Sequence, residues 1–145
     1  MHTTVRATLV VAAVGAFLFG TSAAAQAAPA VPLNPGQEVA EIVSDAHGFF
    51  TYEIDEDQFC WTLDVSGLTT PVGAAHVHEN VRNENGGIVI HLDVVVGATS
   101  FETEDCETVT DEALLNRLEE DPRGFYVNVH TTRYPGGEIR GQLKK

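Results

Sequence analysis

Phe50, Tyr52 and Ile54 alternate with Thr51 and Glu53, and Phe59, Trp61, Leu63 and Val65 alternate with Cys60, Thr62 and Asp64. Such alternation marks half-buried β-strands, because successive side chains leave a strand on opposite faces. Between the two runs lies Asp55-Glu56-Asp57-Gln58, a polar tip of hairpin length. The apolar sets predict one core with Trp61 near its centre, and they place Cys60 on the opposite face. A disulfide from Cys60 would then tie the sheet to a covering loop. Further strands are predicted at 74–79, 88–96, 98–103, 124–131 and 137–143. Turn chemistry separates them at Asn83-Glu84-Asn85-Gly86-Gly87 and at Tyr134-Pro135-Gly136-Gly137, where Pro then Gly suits a type II turn. Residues 28–36 read as an extended lead-in. One helix interrupts the series, with Thr110 as N-cap, Asp111 and Glu112 in the first turn, and Leu114, Leu115 and Leu118 as its apolar stripe. Asp121-Pro122 ends it. Seven or eight short strands and one short helix predict an all-β Greek-key sandwich or barrel, without internal repeats.

The N-terminus follows a different pattern. Arg6 is its one positive charge, Ala7 to Gly20 form an apolar run, and Ala25-Gln26-Ala27 fits a small-x-small cleavage site. Residues 1–27 therefore read as an export signal peptide, cleaved to leave residues 28–145 as one domain. The alternative, a membrane anchor, is poorly served by about 14 apolar residues where a span needs roughly 20. The expected location is secreted or periplasmic, with no membrane association after cleavage.

Composition narrows the chemistry. The chain carries a net charge of −13, and loss of Arg6 leaves the mature domain near −14. Nucleic acid and anionic membranes are excluded as partners, since both need clustered Lys and Arg. Two cysteines, Cys60 and Cys106, in an oxidising compartment favour a disulfide over a metal-binding pair. Ser44, Ser66 and Ser100 lie in no GxSxG setting, which removes a serine hydrolase.

The informative residues are histidines. His2 leaves with the leader, and His47 sits beside Gly48 in an ordinary turn. His76 and His78 are two apart on a predicted strand, so both rings emerge on one face. His130 closes another strand. His91 lies within a third, on the face opposite Ile90 and Leu92, where a simple half-exposed histidine is the competing reading. The pair plus His130 predicts a metal site, because three imidazoles with an open position make a reactive centre. Met1 is the only Met and the cysteines are expected to be oxidised, so a thiolate-ligated blue-copper centre is disfavoured. An all-His site suits Cu(II) or Zn. Glu79 and Asp93 stand nearby as ligands, as partners of ring N–H groups, or as solvated acids.

AAHVHEN, then GGIVIHL, then FYVNVHTTRYPGGEIRGQL closely resemble the CHRD domain, the module named from chordin, and LNPGQEV resembles that domain's opening. The likeness covers about residues 33–143 and implies an immunoglobulin-like or superoxide-dismutase-like β-sandwich. A second likeness, to copper/zinc superoxide dismutases, rests on a His-x-His on one strand, a later His and an Arg. Carried over, it implies that His76, His78 and His130 hold copper, that His91 is a fourth ligand, and that Arg140 guides superoxide. The zinc loop and long electrostatic loop of those enzymes are not recognisable, so a copper-only site is implied. Arg140 has a competing role in a salt bridge with Glu138, two residues away. A non-enzymatic extracellular interaction or matrix module is the alternative to copper binding and redox chemistry. Oligomeric state is not encoded in any of these patterns.

Overall fold

The computed structural model describes residues 29–145, so the predicted signal peptide lies outside the described residues. Eight strands form two antiparallel four-stranded sheets: β1 (Val31–Leu33), β2 (His47–Asp55), β3 (Gln58–Ser66) and β6 (Phe101–Thr108) in one, and β4 (Val72–Glu79), β5 (Gly87–Leu92), β7 (Phe125–Thr131) and β8 (Ile139–Gln142) in the other. The orders are β1-β2-β3-β6 and β5-β4-β7-β8. Thus β6 passes over β4 and β5 to pair with β3, and β7 passes over β5 and β6 to pair with β4. These are Greek-key returns. At one seam the sheets touch through paired backbone bonds between Asn34 and Arg140, 3.2 Å in each direction.

The alternation read from the sequence is the alternation of burial. Phe50, Phe59, Trp61, Leu63 and Val65 face inward and meet Val77, Ile90, Val127, Val129 and Ile139 from the facing sheet. The β2–β3 hairpin closes over Glu56 and Asp57, with Asp55 paired to Gln58. Among the described residues no helix is long and apolar enough to cross a membrane.

Several details depart from expectation. Val31–Leu33 is a strand and not merely a lead-in, since Val31 and Leu33 bury themselves against Phe50 and Gly48 of β2. β5 stops at Leu92, because Val95 and Val96 turn outward into a loop that Gly97 (φ 86) closes. β6 accordingly starts at Phe101 and runs on to Thr108. The helix α1 (Glu112–Glu120) is capped by Asp111, whose side chain accepts from Leu114 N, and not by Thr110. Its Leu114, Leu115 and Leu118 are buried as expected. The turn at Tyr134–Gly137 closes with Gly137 N donating to Tyr134 O at 3.0 Å, yet the positive φ falls on Gly137 (123°) and not on Gly136, so it is not type II.

Cys60 and Cys106 form the expected disulfide, but its place differs. They face each other directly across β3 and β6, so the bond joins an edge strand to its own sheet and no covering loop is involved.

Candidate metal site

The outer face of the second sheet carries the histidines. β4 presents His76 and His78 on one face, and β7, paired to β4, presents Tyr126, Asn128 and His130 on the same side. His76 lies opposite Asn128, His78 opposite Tyr126, and Ala74 opposite His130. The small Ala74 leaves room for the rings to converge. One ring nitrogen from each of His76, His78 and His130 lies within 4.8 Å of the others. His91 stands across from His76 on β5 with ring centroids 4.9 Å apart, but it is exposed and outside that trio. His47 is far along the other sheet, with Nδ1 against Asp45 O at 3.2 Å.

Backbone carbonyls decide which nitrogens are free. His78 Nδ1 lies 3.1 Å from Gly86 O, and His130 Nδ1 lies 3.0 Å from Pro135 O. A carbonyl only accepts, so both Nδ1 atoms carry the proton and both Nε2 atoms are bare in the neutral rings. Those two Nε2 atoms face each other at 3.4 Å. Two lone pairs held nose to nose repel unless a cation or proton sits between them. His76 adds a third ring to the cluster, and its Nδ1 is buried without any hydrogen-bond partner.

The rings are held neutral. Burial pushes His76 down to about 4, and the neighbouring His130, His78 and His91 push the same way. Burial also lowers His78, against the pull of the Gly86 carbonyl, and lowers His130 against that of Pro135. Neutral imidazole is the form that binds metal, so protons compete little at neutral pH. A metal about 2.0–2.1 Å from each nitrogen needs nitrogen separations of about 3.3–4.2 Å, and the 3.4 Å of His78 and His130 meets this. The donor set fits a resident metal ion. An open cavity of about 710 Å³, with Ile88, Gly73 and Pro135 in its wall, adjoins the trio and leaves space for a further ligand.

The other candidates are placed differently. Glu79 is taken by Arg117, the one ion pair among the described residues. Asp93 is exposed. Arg140 does not pair with Glu138, whose carboxylate accepts from Ser44, Thr69 and Thr131. Its guanidinium is only 1% exposed and lies over Tyr126, 3.3 Å from the ring centroid, so it is not at the mouth of the cavity. Tyr126 and Gly86 line the site and were not read from the sequence as site residues. Tyr126 shares the parity of His130 on β7, which was the available signal.

Near Arg140, Glu38 is a half-buried titrating group. Burial raises its carboxyl to about 7, although Arg140 and Asn128 pull it down. A carboxyl raised on folding holds its proton more tightly in the folded state. Its contribution is complete below about pH 4.5 and is lost as pH climbs through about 7. Between pH 5 and 8 the protein is therefore expected to lose about 1–2 kcal/mol that Glu38→Gln does not lose, after discounting for partial solvent exposure. Urea titrations at both pH values check this, and parallel curves for the two proteins would refute it.

The fold and site define a two-sheet β-sandwich with a histidine cluster on the outer face of one sheet. The CHRD domain family model matches residues 30–143, and the chain belongs to that family. Comparison with curated proteins and with solved structures returns no match.

Proposed function

We propose that this is an exported copper-binding β-sandwich protein in which His76, His78 and His130 hold the ion. One observation carries the reading: two carbonyl-fixed tautomers leave bare Nε2 atoms facing each other at 3.4 Å, with a ring nitrogen of His76 within 4.8 Å of the same cluster. Copper is favoured over zinc because the donors are all imidazole, no free thiol is present, and Cu(II) binds such sites most strongly among the divalent ions of its row. Export rests on the leader pattern of residues 1–27 and on the disulfide, which persists in oxidising compartments.

A second reading, one-electron chemistry on superoxide, draws support from the open cavity beside three protein nitrogens. Copper would supply Cu(II)/Cu(I) exchange there. Arg140 is buried and away from the mouth of the cavity, so it does not serve as the anion guide this reading calls for, and binding or storage is the better supported use.

Cu(II) titration followed by EPR tests the proposal on the wild type and on His76→Ala, His78→Ala and His130→Ala. The wild type is expected to bind one equivalent. Each variant should lose more than the about 10–100-fold that removal of a ligand's supporting partner costs. His91→Ala should lose less, because that ring stands outside the trio. Absence of tight copper in the wild type, or undiminished binding in all three variants, would leave the non-enzymatic interaction module as the reading. Competition with Zn(II) decides the metal, and superoxide consumption by the loaded protein separates catalysis from storage.

A further inference from the structure

The loop joining β4 to β5, residues 80–86, folds back over the outer face of its sheet. Arg140 holds it near both ends, with Nη2 donating to Val81 O at 3.2 Å and Nη1 to Asn85 Oδ1 at 3.4 Å. The same guanidinium lies on the Tyr126 ring, 3.3 Å from its centroid. His78 stacks on that ring as well, at 4.9 Å and 6°. Because β4 and β8 flank β7 on opposite sides, His78 and Arg140 take opposite faces of Tyr126. Gly86 then closes the circuit. Its N–H donates to the Tyr126 hydroxyl at 3.0 Å, and its carbonyl accepts from His78 Nδ1 at 3.1 Å. Any side chain there would put a Cβ 1.8 Å from Glu79 O, so only glycine lets the loop approach this closely.

Arg140 is 1% exposed with no carboxylate in direct contact, and the charge of Glu38 nearby offsets only part of the cost of burying a guanidinium. What it gains here is a ring face and two loop acceptors at once, which only a planar, many-donor cation can satisfy together. Lysine, a point charge on a flexible stem, reaches one of these and not all three.

We propose that Arg140 and Tyr126 are positioning residues: clamping the 80–86 loop and the His78 ring, they fix His78 as its Nδ1–H tautomer with Nε2 aimed at His130. The consequence for metal strength rests on the copper reading above, whereas the tautomer is a property of the metal-free protein. His130 takes its tautomer from Pro135 O, on a different loop, and so serves as an internal control.

Long-range ¹H–¹⁵N correlation spectra of the metal-free full chain report the tautomer of each ring. Both His78 and His130 are expected as Nδ1–H in the wild type. In Tyr126→Phe, which removes only the hydroxyl, and in Arg140→Lys, which keeps the charge, His78 is expected to become a tautomer mixture while His130 stays as it was. Cu(II) affinity in the same variants should fall about 10–100-fold, with altered copper hyperfine splitting. A His78 tautomer unchanged in both variants overturns the proposal, as does a simultaneous change in His130, which would report general loosening. Should Arg140→Lys fail to fold, Tyr126→Phe reads the same link alone. A wild type that binds no copper while His78 still shifts would sink the metal reading and uphold the positioning role.

Discussion

Glu138→Ala is expected to lower the stability of the fold by about 4 kcal/mol. The side chain is 0% exposed and its carboxylate accepts four hydrogen bonds: from Ser44 Oγ at 2.7 Å, Thr69 N at 2.8 Å, Thr69 Oγ1 at 3.0 Å and Thr131 Oγ1 at 2.8 Å. These donors come from the segment before β2, the crossing between β3 and β4, and the end of β7. One carboxylate thus stitches together three places where the chain passes near the seam between sheets. Hydrogen bonds to a charged acceptor contribute about 1.5–3 kcal/mol each, set against the cost of burying the charge. Alanine removes the gain and strands the Thr69 N–H, which a rotating hydroxyl cannot rescue. Glu138→Gln keeps one acceptor oxygen and, since hydroxyls can reverse their role, should cost only about 1–2 kcal/mol. Urea unfolding of the three proteins measures the ladder. A Glu138→Ala loss below about 1 kcal/mol would mean that the carboxylate's desolvation cancels its bonds.

Replacing both cysteines by serine should cost a similar amount, about 4 kcal/mol, for a different reason. The bond links positions 46 residues apart, and closing a loop of that length in the unfolded chain removes about that much entropy. For a domain of this size the shift in Tm should be about 15 °C. The folded structure says where the loss appears first. β6 is an edge strand whose side chains are mostly exposed, with Phe101 its one half-buried apolar contact to the core. Without the disulfide, its ladder to β3 and the Phe101 contact are what hold it. Amide exchange in the Cys60→Ser/Cys106→Ser protein should therefore accelerate in β6 ahead of β2 and β7. Uniform acceleration across all strands would show that the bond acts on the unfolded state alone.

Much of the site was legible before folding. The His-x-His spacing puts two rings on one face of any strand, and the parity of Tyr126, Asn128 and His130 is equally local. The oxidised cysteines followed from an even count and from an N-terminal pattern that reads as an export signal. Arg140 was harder. Its residue type suits an anion guide as well as a clamp, and only the loop at 80–86, placed over it by tertiary packing, makes it 1% exposed. The disulfide's partner surface was misplaced for a related reason: parity puts Cys60 on the outer face, but nothing local says that β6 returns beside β3.

The sequence by itself determined most of the strands though not all their ends, the face each side chain takes, and the supply of imidazole donors without a free thiolate, because these follow from backbone period and composition. The tertiary structure alone decided that β7 lies against β4 and so carries His130 to His76 and His78. It also decided that Gly86 and Pro135 carbonyls set the tautomers, and that Arg140 sits behind Tyr126 and away from solvent. Alternation is a property of neighbouring residues, whereas strand pairing and loop placement are chosen by burial and closure across more than fifty residues of chain, as between His78 and His130.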